Sequence, residues 1–199
     1  MEKLLKLTCF IFLTSCAATR YGAVVGGQYA SYSESASASS VFGGGGPDIE
    51  DYDTSGPGFH IGFSEETQNI LTKIYYFQNS YEDGDYVVDG QSLDASLKES
   101  GIKGTIAWKL GIFQPYFGFA SYNFDTEVDG NSESSSTGAL TFGADLEFQV
   151  SKRGFFYLGY GVDTSDNLSV IGSYTVNQTI KHGTFLLGYR YNFSDSYSK

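Results

Sequence analysis

Residues 140–150 read LTFGADLEFQV and alternate between two kinds of side chain at every step. The even positions hold Leu, Phe, Ala, Leu, Phe and Val, whereas the odd positions hold Thr, Gly, Asp, Glu and Gln. Successive side chains of a β-strand point to opposite faces, so a period of two indicates a strand with one apolar and one polar face. This stretch therefore predicts a strand whose polar face carries charged groups.

The same period of two recurs along most of the chain, and no sustained apolar period of 3.6 follows the N-terminal segment. Eight strands are predicted, at residues 20–32, 56–64, 69–81, 92–110, 114–125, 137–150, 155–164 and 170–193. Short connections at 65–68, 111–113 and 151–154 alternate with long ones at about 33–55, 82–91, 126–136 and 165–170. Short turns at one end and longer loops at the other are typical of a transmembrane β-barrel.

One irregularity interrupts the fourth strand. Leu93, Ala95 and Leu97 occupy odd positions, whereas the apolar residues from Ile102 onward occupy even ones. An extra residue in one strand shifts the alternation by one, so the sequence predicts a β-bulge near Ser100 and Gly101.

The alternation fits two kinds of fold, because the apolar face could pack into a soluble core or meet lipid. Three features favour lipid: aromatic residues near the strand ends, glycines repeated on the polar face, and a chain that nearly ends on a strand closing with an aromatic. The fold class predicted is therefore all-β, an eight-stranded antiparallel up-and-down transmembrane β-barrel with short periplasmic turns and longer extracellular loops.

In such a barrel the polar face lines a lumen that side chains just fill. The charged residues predicted to meet there are Lys73, Lys103, Asp145, Glu147 and Arg190. Buried charges need partners, so we interpret them as a structural ion-pair network that fixes the strand register. A gated ion path is the alternative interpretation.

The N-terminus carries the pattern of an export signal. Lysines precede a short apolar run that ends in small residues, so residues 1–15 are predicted to be a signal peptide. Both cysteines of the chain fall within the first 16 residues, so no disulfide can link the rest. Residues 13–16, Leu-Thr-Ser-Cys, resemble a bacterial lipobox, which makes Cys16 a possible lipidation site; ordinary cleavage nearby is the alternative.

The last strand carries a family resemblance. Residues 186–193, LLGYRYNF, resemble the C-terminal signal read by the outer-membrane barrel assembly machinery, with Gly188, Tyr191 and Phe193 at the expected spacing. The chain thereby resembles the small OmpA-like barrels, also called porin-family or opacity-like proteins. The resemblance implies a barrel domain at 20–193, a short tail at 194–199, residence in the outer membrane, and contact with outer-membrane lipid and lipopolysaccharide, as a monomer.

The sequence says less about activity than about fold. A net charge of -11 argues against a nucleic-acid partner, and no motif predicts a cofactor, a metal site or a catalytic group. The prediction is a non-enzymatic barrel with a structural or surface-interaction role, its specificity held in loops 33–55, 82–91, 126–136 and 165–182. Two alternatives stay open: a lipid-anchored, soluble, lipocalin-like barrel that binds a small apolar ligand, and a lipid-modifying enzyme with His182 as its base near Ser169 and Ser173.

Overall fold

The computed structural model describes residues 19–40, 52–81, 84–88, 90–128, 130–171 and 174–194. The predicted signal peptide, Cys16 and the tail after Ser194 lie outside the described residues. The strands are β1 (Arg20–Ser40), β2 (Tyr52–Glu66), β3 (Ile70–Ser80), β4 (Gly84–Val88), β5 (Gln91–Trp108), β6 (Phe113–Val128), β7 (Asn131–Gln149), β8 (Gly154–Ile171) and β9 (Tyr174–Asn192). The described part of the chain contains no helix that is long and apolar enough to cross a membrane.

Eight of these strands form a closed antiparallel ring. Consecutive long strands pair with one another, β3 pairs with β5, and β9 pairs back with β1 to close the barrel. The ninth strand, β4, is a short segment that pairs with the beginning of β5 outside the ring. The predicted eight-stranded, all-antiparallel barrel is confirmed.

The two ends of the barrel differ. The turn end holds the connections at 67–69, 109–112 and 150–153 together with the start of β1 and the end of β9. At the opposite end, here called the hairpin end, the predicted long loops are largely wrong. Strands β6 and β7 continue in register to Val128 and Asn131, and β8 continues to Ile171, whereas the start of β9 at Tyr174 falls within the strand predicted at 170–193. Alternation fails to reveal the extensions of β6 and β7 because most of their residues on both faces are polar.

The predicted bulge is also wrong. Strand β5 keeps an unbroken register with both neighbours: Gly101 lies opposite Phe77 of β3 and Tyr122 of β6, and the pairs on either side follow without an insertion. Its odd residues face inward throughout, from Ala95 to Ala107. The apolar residues change from odd to even positions because they face the lumen up to Leu97 and face outward from Ile102 onward. The backbone stays regular throughout.

The barrel is apolar outside and polar within over most of its height. The large apolar residues with exposed side chains on the outer face include Val25, Phe59, Ile61, Phe63, Ile102, Phe119, Leu140, Phe142, Leu158, Phe185 and Leu187. On β1 this band runs from Tyr21 to Tyr29. Nine residues of a strand tilted by about 40° rise about 23 Å, close to the ~25 Å apolar band of membrane barrels.

Candidate functional site

The lumen is the most elaborate polar region of the described chain, and its centre at the turn end is Arg190. This side chain is fully buried. Its Nε and Nη2 donate to the two carboxylate oxygens of Glu147 at 2.9 and 2.5 Å, and its Nη1 donates to Glu66 Oε2 at 2.9 Å. The amides of Asn192 and Gln114 donate to the same carboxylates, Asn192 to Glu66 at 2.8 Å and Gln114 to Glu147 at 3.0 Å.

Glu66 is a shared acceptor in this turn-end cluster. Besides Arg190, Arg20 Nη2 lies 2.9 Å from its Oε1, and Lys109 Nζ donates to the same oxygen. The Arg190 guanidinium also lies 4.1 Å from the centre of the Phe155 ring, a cation–π contact. Bidentate pairing of a guanidinium with a carboxylate is among the stronger hydrogen-bond geometries, so the cluster ties several strand ends together.

Two further ion pairs cross the middle of the lumen between strands that are not neighbours in the sheet. Lys73 of β3 lies 2.5 Å from Asp145 of β7, and Lys103 of β5 lies 2.5 Å from Asp163 of β8. The Tyr122 hydroxyl donates to the same oxygen of Asp163. All of these side chains are buried, so the pairs replace solvation that the lumen does not supply.

A small cavity of about 10 Å³ lies beside the Lys73–Asp145 pair. Three buried atoms there, Asp145 Oδ1, Tyr116 Oη and His60 Nδ1, have no hydrogen-bond partner among the described residues. This volume is about that of one water-sized probe, and its lining is polar. The cavity is therefore suited to a single water molecule and is far too small for a solute.

The hairpin half of the lumen is aromatic. The His182 ring stacks on Tyr122 at 4.6 Å between ring centres and 14° between planes, and the Phe124 ring lies 5.9 Å away at 8°. His182 Nε2 lies 3.0 Å from Glu99 Oε2. The same carboxylate accepts hydrogen bonds from the side chains of Asn79 and Tyr81. Stacked rings thus close the lumen at the level where the charged layer ends.

The five residues predicted to form a lumen network all lie buried in the lumen, but they do not pair only with one another. Lys103 is paired with Asp163, and Arg190 is shared between Glu147 and Glu66. Neither of these two additional acids was predicted to lie in the lumen. Asp163 follows the alternation of β8, and Glu66 follows that of β2 but was assigned to the turn. The alternation alone was enough to find both.

The other predicted positions are placed as follows. Gly188 faces the lumen, where a Cβ atom would collide with the Tyr157 hydroxyl, whereas Tyr191 and Phe193 are exposed on the outer face at the turn end. His60 is buried and contacts Tyr157 through Nε2. Ser173 and the side chain of Ser169 lie outside the described residues. Recognition of the terminal strand by assembly machinery stays a prediction.

Comparison with solved structures shows that the chain shares its fold with outer-membrane β-barrels. OprG of Pseudomonas aeruginosa is 15% identical, with a TM-score of 0.55 over 89% of this chain and 97% of that one. Ail, the attachment invasion locus protein of Yersinia pestis, crystallised with the heparin analogue sucrose octasulfate, is 16% identical, with a TM-score of 0.53 over 88% and 99%. The outer membrane protease OmpT of Escherichia coli is 8% identical, with a TM-score of 0.45 over 88% and 96%. No family model and no curated protein sequence matches the chain.

Proposed function

Because the chain has the fold of the small bacterial outer-membrane β-barrels, we propose that it is an integral outer-membrane protein without enzymatic activity, exported by its first 15 residues. Its role is structural or lies in contacts made by the hairpin end. The observation that supports this most directly is the inverted polarity: Arg190 and Lys103 are almost completely buried inside, whereas Phe142 and Phe119 are exposed outside at 57% and 61%. Such a surface suits a bilayer and would aggregate in water.

The soluble, ligand-binding alternative fits less well. A lipocalin-like barrel needs an open apolar lumen, whereas here charged side chains and stacked rings fill the interior. Lipidation of Cys16 is compatible with an integral barrel and remains part of the proposal. The ion pairs of Lys73, Lys103 and Arg190 are best explained as structural, because each of these buried cations has a carboxylate beside it and the adjoining cavity is of water size.

The enzymatic alternative also lacks support in the described residues. A base acting on lipid must reach the outer face, but the His182 ring is buried between Tyr32, Tyr122 and Phe124 inside the lumen. His60 is equally enclosed beside Tyr157. We therefore propose that both histidines pack the lumen.

Membrane insertion is tested by expressing the full-length chain in a Gram-negative host. We expect the protein in the outer-membrane fraction, resistant to carbonate, with a gel mobility in SDS that changes on boiling because a closed barrel keeps its hydrogen-bonded ring in cold detergent. Labelling with palmitate reports separately on Cys16. Release by carbonate together with unchanged mobility would contradict an integral barrel and favour the lipid-anchored soluble form.

The charge of the hairpin end constrains any surface partner. Sequence segments 33–58, 78–99, 121–138 and 164–181 hold 16 of the 23 Asp and Glu residues and only two of the 12 Lys and Arg residues. Among the described side chains Asp125, Glu127 and Asp166 are exposed there. A mainly acidic surface attracts cations and repels anions. We propose that this end contacts cationic rather than sulfated or phosphorylated soluble partners, in contrast to the ligand named for Ail.

This preference predicts a measurable binding difference. The barrel in detergent is expected to bind a polylysine peptide with an affinity that falls as salt is added, because the Debye length is only about 10 Å at 0.1 M salt. It is expected to bind heparin weakly or not at all, because heparin and the hairpin end are both negatively charged. The variant D125N/E127Q/D166N should weaken polylysine binding without changing the heat-dependent gel shift. Stronger binding of heparin than of polylysine would contradict the proposal.

A further inference from the structure

We propose that His182 and Glu99 form a pH-sensitive latch across the hairpin half of the lumen, which closes when the imidazole ring carries a proton. Both side chains are buried, and they belong to β9 and β5, which stand on opposite sides of the eight-stranded ring. The proposal rests on the packing of the lumen and does not depend on any surface partner of the hairpin end.

Glu99 differs from the other buried acids of the described chain in the partner that it has. The other four each form an ion pair with a lysine or an arginine: Glu66, Asp145, Glu147 and Asp163. Among the described residues the ion-pair partner of Glu99 is His182, whose Nε2 lies 3.0 Å from Oε2. Histidine ordinarily changes its charge between about pH 5 and 8, so the charge beside Glu99 can be switched.

The hydrogen bonds around Glu99 are those of an ionised carboxylate, which accepts through both of its oxygens. The Tyr81 hydroxyl donates to Oε2 at 2.6 Å, and Asn79 Nδ2 donates to Oε1 at 2.9 Å. Beside a neutral ring this buried charge has no opposite charge, which is costly in a lumen without solvent. Beside a protonated ring the two side chains form an ion pair.

The aromatic side chains around the ring also suit a cation. Tyr122 stacks on the His182 ring at 4.6 Å between ring centres, and the rings of Tyr32 and Phe124 lie at 5.1 and 5.9 Å. Aromatic faces attract cations through their quadrupole. Tyrosine hydroxyls ordinarily titrate near pH 10, so those around the ring add no charge between pH 6 and 8.

The other charged groups on the strands beside His182 do not oppose its protonation. Asp163 of β8 lies directly opposite His182 in the sheet and is paired with Lys103 at 2.5 Å, so these two charges offset each other. Glu34 of β1 accepts a hydrogen bond from the Tyr32 hydroxyl at 2.5 Å and forms no ion pair among the described residues. The charges without a permanent partner near the ring are therefore negative.

The latch connects four strands. Gln28 Nε2 of β1 donates to Asn79 Oδ1 of β3 at 2.6 Å, so polar contacts run from His182 through Glu99 and Asn79 to Gln28. The contact between His182 and Glu99 is the one in this path that joins opposite walls of the barrel. A proton on the ring strengthens it, so the hairpin half is stiffer near pH 6 than near pH 8.

The test is urea unfolding of the full-length barrel in lipid vesicles at pH 6 and pH 8. The folded barrel holds one more proton than the unfolded chain over the range in which the latch is closed and an exposed histidine is neutral. The equilibrium constant for unfolding should therefore rise by up to about tenfold per pH unit as the pH increases. We expect E99Q and H182F to lose this dependence on pH.

A matched control comes from the second histidine of the chain, because H60Q should keep the pH dependence of the wild type. H182F leaves Glu99 without a cation, so H182F/E99Q is expected to be more stable than H182F at both pH values. E99Q keeps the size of the side chain and supplies the comparison if H182F does not fold.

Nitrogen-15 NMR of the histidine ring reports the proton itself. In H60Q we expect both ring nitrogens of His182 to be protonated at pH 6, and in H60Q/E99Q only one. A wild-type stability that is the same at pH 6 and pH 8 would overturn the proposal. So would an unchanged pH dependence in both E99Q and H182F, or a neutral ring in H60Q at pH 6.

Discussion

Replacing Arg190 by Met should reduce the free energy of unfolding by about 3–5 kcal/mol, the cost of removing one partner from a buried ionic cluster. The guanidinium satisfies Glu147 through two hydrogen bonds and Glu66 through one. Without it, Glu147 keeps only the hydrogen bond from Gln114 within this cluster. A decrease of this size equals much of the stability of a typical small domain, so we expect little folded barrel to accumulate.

The measurement is urea unfolding of the barrel in lipid vesicles, followed by the fluorescence of Trp108, the single tryptophan of the chain. Because the penalty arises from uncompensated charge, the variant E66Q/E147Q/R190M should recover part of the lost stability. Lys152→Met in the exposed turn provides a matched loss of charge and should change the free energy of unfolding by less than about 0.5 kcal/mol. A decrease below 1 kcal/mol for Arg190→Met would show that the cluster is solvated.

The experiment also separates the two interpretations of the lumen charges. A structural network should lose stability when Arg190 is removed, whatever the ionic composition of the medium. An ion path gated by the same residues would instead show a change in conductance across planar bilayers while the barrel stays folded. The water-sized cavity beside Lys73 and Asp145 favours the structural interpretation.

The parts of this fold that could be predicted are those in which physical environments alternate along the strand. An apolar outer face and a charged lumen leave a period of two in β7, so Asp145 and Glu147 could be assigned to the lumen from sequence. Partner identity could not be predicted in the same way. Which lysine faces which acid depends on strand tilt and on contacts between non-neighbouring strands, as with Lys103 and Asp163.

In the half of the barrel at the hairpin end, the apolar residues no longer mark the outer face. Beyond the apolar band the outer face is polar, whereas the lumen becomes aromatic and apolar. Leu97, for example, points inward on the same face of β5 that carries Lys103 further along the strand. In the sequence this change looks like a shift of the alternation by one residue, which predicts a bulge. In the structure the polarity of the two faces is exchanged, while the strand register stays unbroken. The extensions of β6 and β7 were missed for a related reason, because Ser, Thr and Asn occupy most positions on both of their faces.

Replacing Leu158 by Lys should cost about 2–4 kcal/mol if the outer face meets lipid, the range for a lysine at the midplane of a membrane barrel. Leu158 is 47% exposed and lies between Leu146 and Leu187 in the middle of the apolar band. On a water-soluble barrel the same substitution at a half-exposed site would change stability little and improve solubility.

The control lies further along the same strand. Thr164 is exposed just beyond Val162, where the apolar band ends, and Thr164→Lys should cost no more than about 1 kcal/mol because charge is tolerated near the interface. Urea unfolding in vesicles gives both values from one assay. A strong dependence on depth, with Leu158→Lys far more costly than Thr164→Lys, is expected only when hydrocarbon surrounds the band. Equal small effects at both sites would mean that water surrounds the band. The outward apolar residues would then require a protein partner to cover them.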